Sequence, residues 1–222
     1  MSFVWKTERR RASRWRWCRV GPLAALLAAG LLAVWGWGGR VPVECASGRS
    51  GRVERVGELA LLLFKSERVL EVWGRGGAER PWVRLREFAL APLSGVAGPK
   101  LRSGDRQIPE GVYWIKKSVA GGLALDFPND FDLLMARRDG RAVPVGDVRI
   151  GCKAGTGCVV LEAAALEDLA ALIEDVGLAR VKVIFAPNDL RRHMAVKRPG
   201  ANAVWLEQLY ARLKLELAEF QS

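Results

Sequence analysis

The segment VGPLAALLAAGLLAVWGWGG, Val20 to Gly39, carries no charge for twenty residues. A helix of that length crosses a hydrocarbon core of ~30 Å. Its flanks are uneven. Residues 1–19 hold Lys6, Arg9, Arg10, Arg11, Arg14, Arg16 and Arg19 against one acid, Glu8, whereas the far side is polar and Gly-rich. Basic residues stay on the cytoplasmic side, so the expected orientation is N-terminus in. Trp15 and Trp17 on one side, with Trp35 and Trp37 on the other, suit the two interfacial belts. The expectation is a basic cytoplasmic arm (1–19), an anchor (20–39), a linker (40–57) and an exported domain held at the membrane. A cleaved signal peptide and a buried core helix are the alternatives. The arm holds a net +6 of the chain's +11. Topology therefore explains most of the basic excess, and a nucleic-acid-binding role is set aside.

Export bears on the cysteines. Cys18 stays inside, while Cys45, Cys152 and Cys158 face an oxidising compartment. Three thiols and one distant histidine, His193, fall short of the four ligands a structural zinc site uses. A structural zinc site is therefore not expected.

Past the linker the pattern is mostly β. Leu59 to Trp73 places two apolar runs around KSER, a hairpin with Lys65 to Arg68 turning. Trp82 to Leu90 alternates as a half-buried strand does. A Gly- and Pro-rich loop leads to about Glu110; Val112 to Lys117, Val148 to Ile150 and Arg180 to Ala186 are further strands. Helical spacing runs from Val159 to Gly177, and a second amphipathic helix covers about Ala201 to Phe220. The fold class is a mainly β domain (58–194), with one helix following a cysteine and a C-terminal helix (195–222) packed on it.

Four segments then occur in an informative order. GPKLRSGDRQIPEGVYWI (Gly98 to Ile115), LDFPNDFD (Leu125 to Asp132), GTGCVVL (Gly155 to Leu161) and VKVIFAPNDLR (Val181 to Arg191) resemble the L,D-transpeptidase catalytic domain (YkuD) family, in its shorter membrane-associated branch. The likeness runs from about Leu61 to Arg191. It implies a β-rich domain acting on peptidoglycan stem peptides without a cofactor. A cysteine attacks the carbonyl of an L-centre to D-centre bond, and the resulting thioester passes its acyl group to an amine or to water. Cys158 holds the nucleophile's position, and carbapenems acylate that cysteine in the family.

The residues supply their own reading of Cys158. It stands at the expected start of the Val159 helix, where free amides and the helix dipole stabilise a thiolate. Gly155, Thr156 and Gly157 form the preceding turn, and its glycines leave room for an oxyanion hole. Lys100, Asp105 and Gln107 either line a substrate groove or tie down their own loop. Asn129 and Asp132 are caps by type. Trp73, Trp82, Trp114 and Trp205 read as core residues rather than sugar platforms.

The likeness fails at one place. The family's His-Gly, which supplies the general base, is absent from DVRIGCKAGTGC. Either the histidine is deleted and Gly151 matches the family glycine, or Gly151 replaces the histidine and Cys152 the glycine. His193 lies after the last core strand and reads as a surface residue. Asp147, Lys153 or the Cys152 thiol are possible surrogates, and Cys152 is equally placed to form a disulfide with Cys158. Two functions stay open: a peptidoglycan-directed cysteine acyltransferase or hydrolase, and a degenerate anchored relative that binds wall or partner proteins.

Overall fold

The run LALLLF is apolar at every position because its strand is covered on both faces. Leu59, Leu61 and Leu63 enter one apolar cluster, and Ala60, Leu62 and Phe64 enter another on the opposite side. The computed structural model describes residues 55–93, 98–151, 157–196 and 204–221. These belong to one compact unit, Ser50–Ser222. The arm, the charge-free segment 20–39 and most of the linker lie outside the described residues. Among the described residues no helix is long and apolar enough to cross a membrane.

The domain is mainly β. Its strands are β1 (Glu58–Phe64), β2 (Val69–Arg75), β3 (Val83–Ala89), β4 (Gly111–Val119), β5 (Gly122–Leu125), β6 (Arg149–Gly151), β7 (Cys158–Val160) and β8 (Val181–Ala186). They form one sheet in the order β3-β2-β1-β8-β4-β5-β6-β7. The pairs β1/β8 and β6/β7 are parallel, and the others antiparallel. The sheet curls around the first cluster, which joins Leu61 and Val183 to Leu125, Ile150 and Val159. Its two ends meet where the Ala91 amide, just past β3, donates to the Val160 carbonyl of β7 at 3.2 Å.

Three helices cover this sheet: α1 (Asp130–Arg138), α2 (Ala163–Val176) and α3 (Val204–Leu217). Leu169 and Ile173 of α2 seal the inner cluster. Trp205, Leu209, Leu213 and Leu217 of α3 pack on the outer face, against Leu62 and Ile184. The spacing of four along α3 thus builds one buried stripe.

The hairpin turning at Lys65 to Arg68 forms as expected, with Arg68 at φ 55°. Strand β3 is more exposed than its alternation suggests, Val83 being 56% accessible, because it is the last strand of the sheet. One expectation is corrected. The helix after the cysteine begins at Ala163, and Cys158 to Val160 are extended. Paired β-branched residues favour a strand. Val159 is fully buried beside Ile150, its neighbour in the parallel ladder. Strand β5 and helix α1 were not anticipated. The signal for α1 was present: Asn129 accepts from the amides of Phe131 and Asp132 while Asp132 reaches back to the Asn129 amide, a capping box.

Candidate functional site

Strand register decides what surrounds Cys158. In β6/β7, Arg149 pairs with Cys158 and Ile150 with Val159. Since Ile150 and Val159 point inward and side chains alternate along a strand, Arg149 and Cys158 share the outer face. The register extends across the sheet: Lys117 opposes Ala124, and Ala124 opposes Arg149. One transverse row therefore reads Lys117, Ala124, Arg149, Cys158, with two cations leading to the sulfur. Cys158 is half-buried, and among the described residues its thiol has no disulfide partner.

The Arg149 guanidinium is held by Asp147, 2.5 Å away. That hydrogen bond raises the Arg149 pKa, and the nearby Cys158 favours the charged guanidinium in the same direction. The same bond holds the Asp147 carboxyl below its usual range, helped by the charges of Arg149, Lys117 and Lys116. Asp147 is thus an ionised partner of arginine rather than a proton acceptor waiting for a thiol. The helix-terminus argument for Cys158 does not hold, because α2 starts five residues later. The adjacent cation is Arg149, whose relation to Cys158 comes from pairing between strands and has no signature in the local sequence.

Gly157 adopts φ +79°, and a Cβ there would stand 3.0 Å from the Asp147 carbonyl oxygen. Its own carbonyl accepts from the Arg149 amide at 3.2 Å. Glycine is needed on both counts. Gly155, Thr156, Cys152 and Lys153 lie outside the described residues. At Gly151 a Cβ would fall 2.3 Å from the Gly121 carbonyl oxygen, and Gly122, its partner across the ladder, is equally crowded. No imidazole fits at Gly151. Of the two alignments, the geometry favours a deleted histidine with Gly151 as the retained glycine. His193 is exposed in the turn after β8, which is separated from β7 by three intervening strands.

The hallmark loop is organised around its own backbone. Asp105 accepts from the amides of Leu101, Arg102 and Gln107 and from Lys100 Nζ at 2.7 Å. These hydrogen bonds hold its carboxyl below the usual range against the opposing effect of desolvation, which is the larger single influence. Lys100 and Gln107 are buried. The groove-lining expectation for these three residues gives way to the loop-building one.

Glu110, which sequence reasoning did not single out, is the loop's main tether. Its buried carboxylate takes Lys65 Nζ at 3.0 Å, the Gly98 amide at 3.1 Å and the Tyr210 hydroxyl at 2.9 Å. Lys65 also donates to the carbonyls of Gly98 and Ile108. An acid inside an otherwise apolar stretch, with a basic residue in a nearby turn, was the available clue. The PNDLR exit is similarly structural. Arg191 binds Asp189, Glu71 and the Phe220 carbonyl.

Trp73, Trp82 and Trp205 are core residues, as expected, but Trp114 is 46% exposed. It borders a recess of about 260 Å³ between β4, the start of α1 and α3. Among the described residues no group of three or more His, Cys, Asp or Glu could hold a metal ion.

No family model matches the chain. A provisional L,D-transpeptidase of Escherichia coli (strain K12), YafK, is 30% identical over 102 residues, covering 42% of this chain and 41% of that protein. The chain thus spans less than half the length of this curated relative. Among solved structures, the helical cell shape determining protein Pgp2 of Campylobacter jejuni aligns with a TM-score of 0.47 at 18% identity, over 66% of this chain and 55% of that one. L,D-transpeptidase 1 of Mycobacterium tuberculosis aligns with a TM-score of 0.31 at 15% identity, over 58% and 61%.

Proposed function

The chain carries an L,D-transpeptidase-like (YkuD-type) domain, and from that premise we propose that it acts on peptidoglycan stem peptides through a thioester at Cys158. The observation that supports this best is the pairing of the half-buried Cys158 with Arg149 on the outer face of the sheet. In the proposed step the sulfur attacks a peptide carbonyl, the C–N bond breaks, and the leaving amine takes a proton. An amine or water then attacks the thioester and releases the thiol. Arg149 stabilises the thiolate but, firmly protonated, does not serve as the base. The proton of the leaving amine comes from solvent in this scheme. Loss of general acid–base help typically lowers a rate by ~10²–10⁴, so slow turnover is expected. We further propose that the domain lies outside the inner membrane, anchored through residues 20–39.

A second reading has an observation of its own. Gly151 leaves no room for an imidazole, and Asp147 is committed to Arg149. That is what a binding protein descended from an enzyme would retain.

Intact-mass measurement of the chain mixed with a carbapenem separates the two. The enzyme reading expects an adduct after thiol reduction, absent in Cys158→Ala. An unmodified protein that still binds wall fragments establishes the binding role instead.

A further inference from the structure

Trp114 differs from the other three tryptophans of the described domain in facing solvent. Its neighbour Ile115 belongs to the inner cluster, so Trp114 points to the outer face, the side that carries Cys158. The recess it borders is also lined by Asp126, Asp130, Phe131 and Arg212. Several polar groups there are uncommitted. Among the described residues, the indole N–H and the Asp130 carboxylate have no hydrogen-bonding or ionic partner. Asp126 uses one oxygen on the Trp114 amide. Arg212 has only a loose ion pair with Glu216, at 3.9 Å.

A flat apolar ring beside planar acceptors and donors, all partly wet, suits a ligand with one apolar C–H face and a rim of hydroxyl and amide groups. That is a saccharide. The volume lies just under the ~300 Å³ of the smaller ligand pockets, which suits a single sugar ring of a longer glycan. The position agrees. From β4 to β7 are three strand spacings, and Trp114 lies a few residues along β4 from the Lys117 row. Together these give roughly 17 Å to Cys158 across the sheet. An extended peptide of about five residues spans that distance at ~3.3–3.6 Å each, and on the way it crosses the Lys117–Arg149 row.

We propose that the Trp114 recess binds a sugar of the glycan that bears the peptide acylated at Cys158. This rests on the stem-peptide reading above, but its test does not depend on catalysis. Calorimetric titration of the full chain with a peptide-free tetramer of N-acetylglucosamine is expected to show binding. Cys158→Ala keeps that binding. Trp114→Ala and Arg212→Ala each weaken it at least tenfold, while Trp114→Phe retains part of it. Arg212 is exposed on α3, so its variant folds and guards against misreading a damaged Trp114→Ala protein. Absence of binding by the parent chain overturns the proposal, as does undiminished binding by both the Trp114→Ala and Arg212→Ala variants. A carbapenem adduct at Cys158 without saccharide binding would leave the stem-peptide reading standing and remove this one.

Discussion

At the scale of single residues, Cys158 has a cation as its strand neighbour, nine positions away in the chain. A cation beside a thiolate favours the charged form, and water weakens that effect at an exposed site. Arg149→Gln is therefore expected to slow carbapenem acylation of Cys158 modestly. Asp147→Asn, which removes the competing carboxylate from the guanidinium, is expected to speed it. Stopped-flow or timed mass spectrometry measures both, and equal rates in all three proteins would rule Arg149 out. The position of the candidate nucleophile was legible in the sequence, as was the absence of the family histidine. Its electrostatic partner was not, because a register between strands leaves no local trace. The helix-terminus argument failed for a related reason. Val159 and Val160 continue a helical apolar pattern equally well, and only the partner strand β6 decides their conformation.

At the scale of elements, the strands bounded by clear turns were readable, and so was the stripe of α3. Helix α1 was hidden inside a segment whose caps were recognised without the helix they cap. Its box carries a pH signature. Burial, the dominant influence, raises the Asp132 pKa from the usual 3.8 to about 6, overcoming the hydrogen bonds from the Asn129 amide and Tyr113. A carboxyl harder to ionise when folded favours the folded state in its protonated form. Its contribution is fully present below about pH 4 and is lost as the pH rises through 6. The displacement corresponds to about 3 kcal/mol. Urea unfolding at pH 4.5 and 7.5 is expected to show this loss, set against all other titrations, and Asp132→Asn is expected to flatten it. An unchanged difference between the two pH values in that variant would refute the assignment.

At the scale of the whole molecule, Glu110 joins three parts that are far apart in sequence: the hairpin turn through Lys65, the hallmark loop through Gly98, and α3 through Tyr210. Removing one member of a buried ion pair costs ~3–5 kcal/mol. Glu110→Ala should lose about that much in denaturant titration, and Lys65→Met added to it should recover part of the loss. A near-neutral Glu110→Ala would show that the pair holds nothing together. The hallmark segment was recognisable as a motif, yet its tether was not, since its partners come from positions 65 and 210. The junction of the sheet's two ends has a consequence for any polymer that visits this protein. With the amide of Ala91 occupying the Val160 carbonyl, that acceptor of β7 is already taken when a guest strand approaches the rim. A chain adding itself alongside β7 would first have to break that clasp.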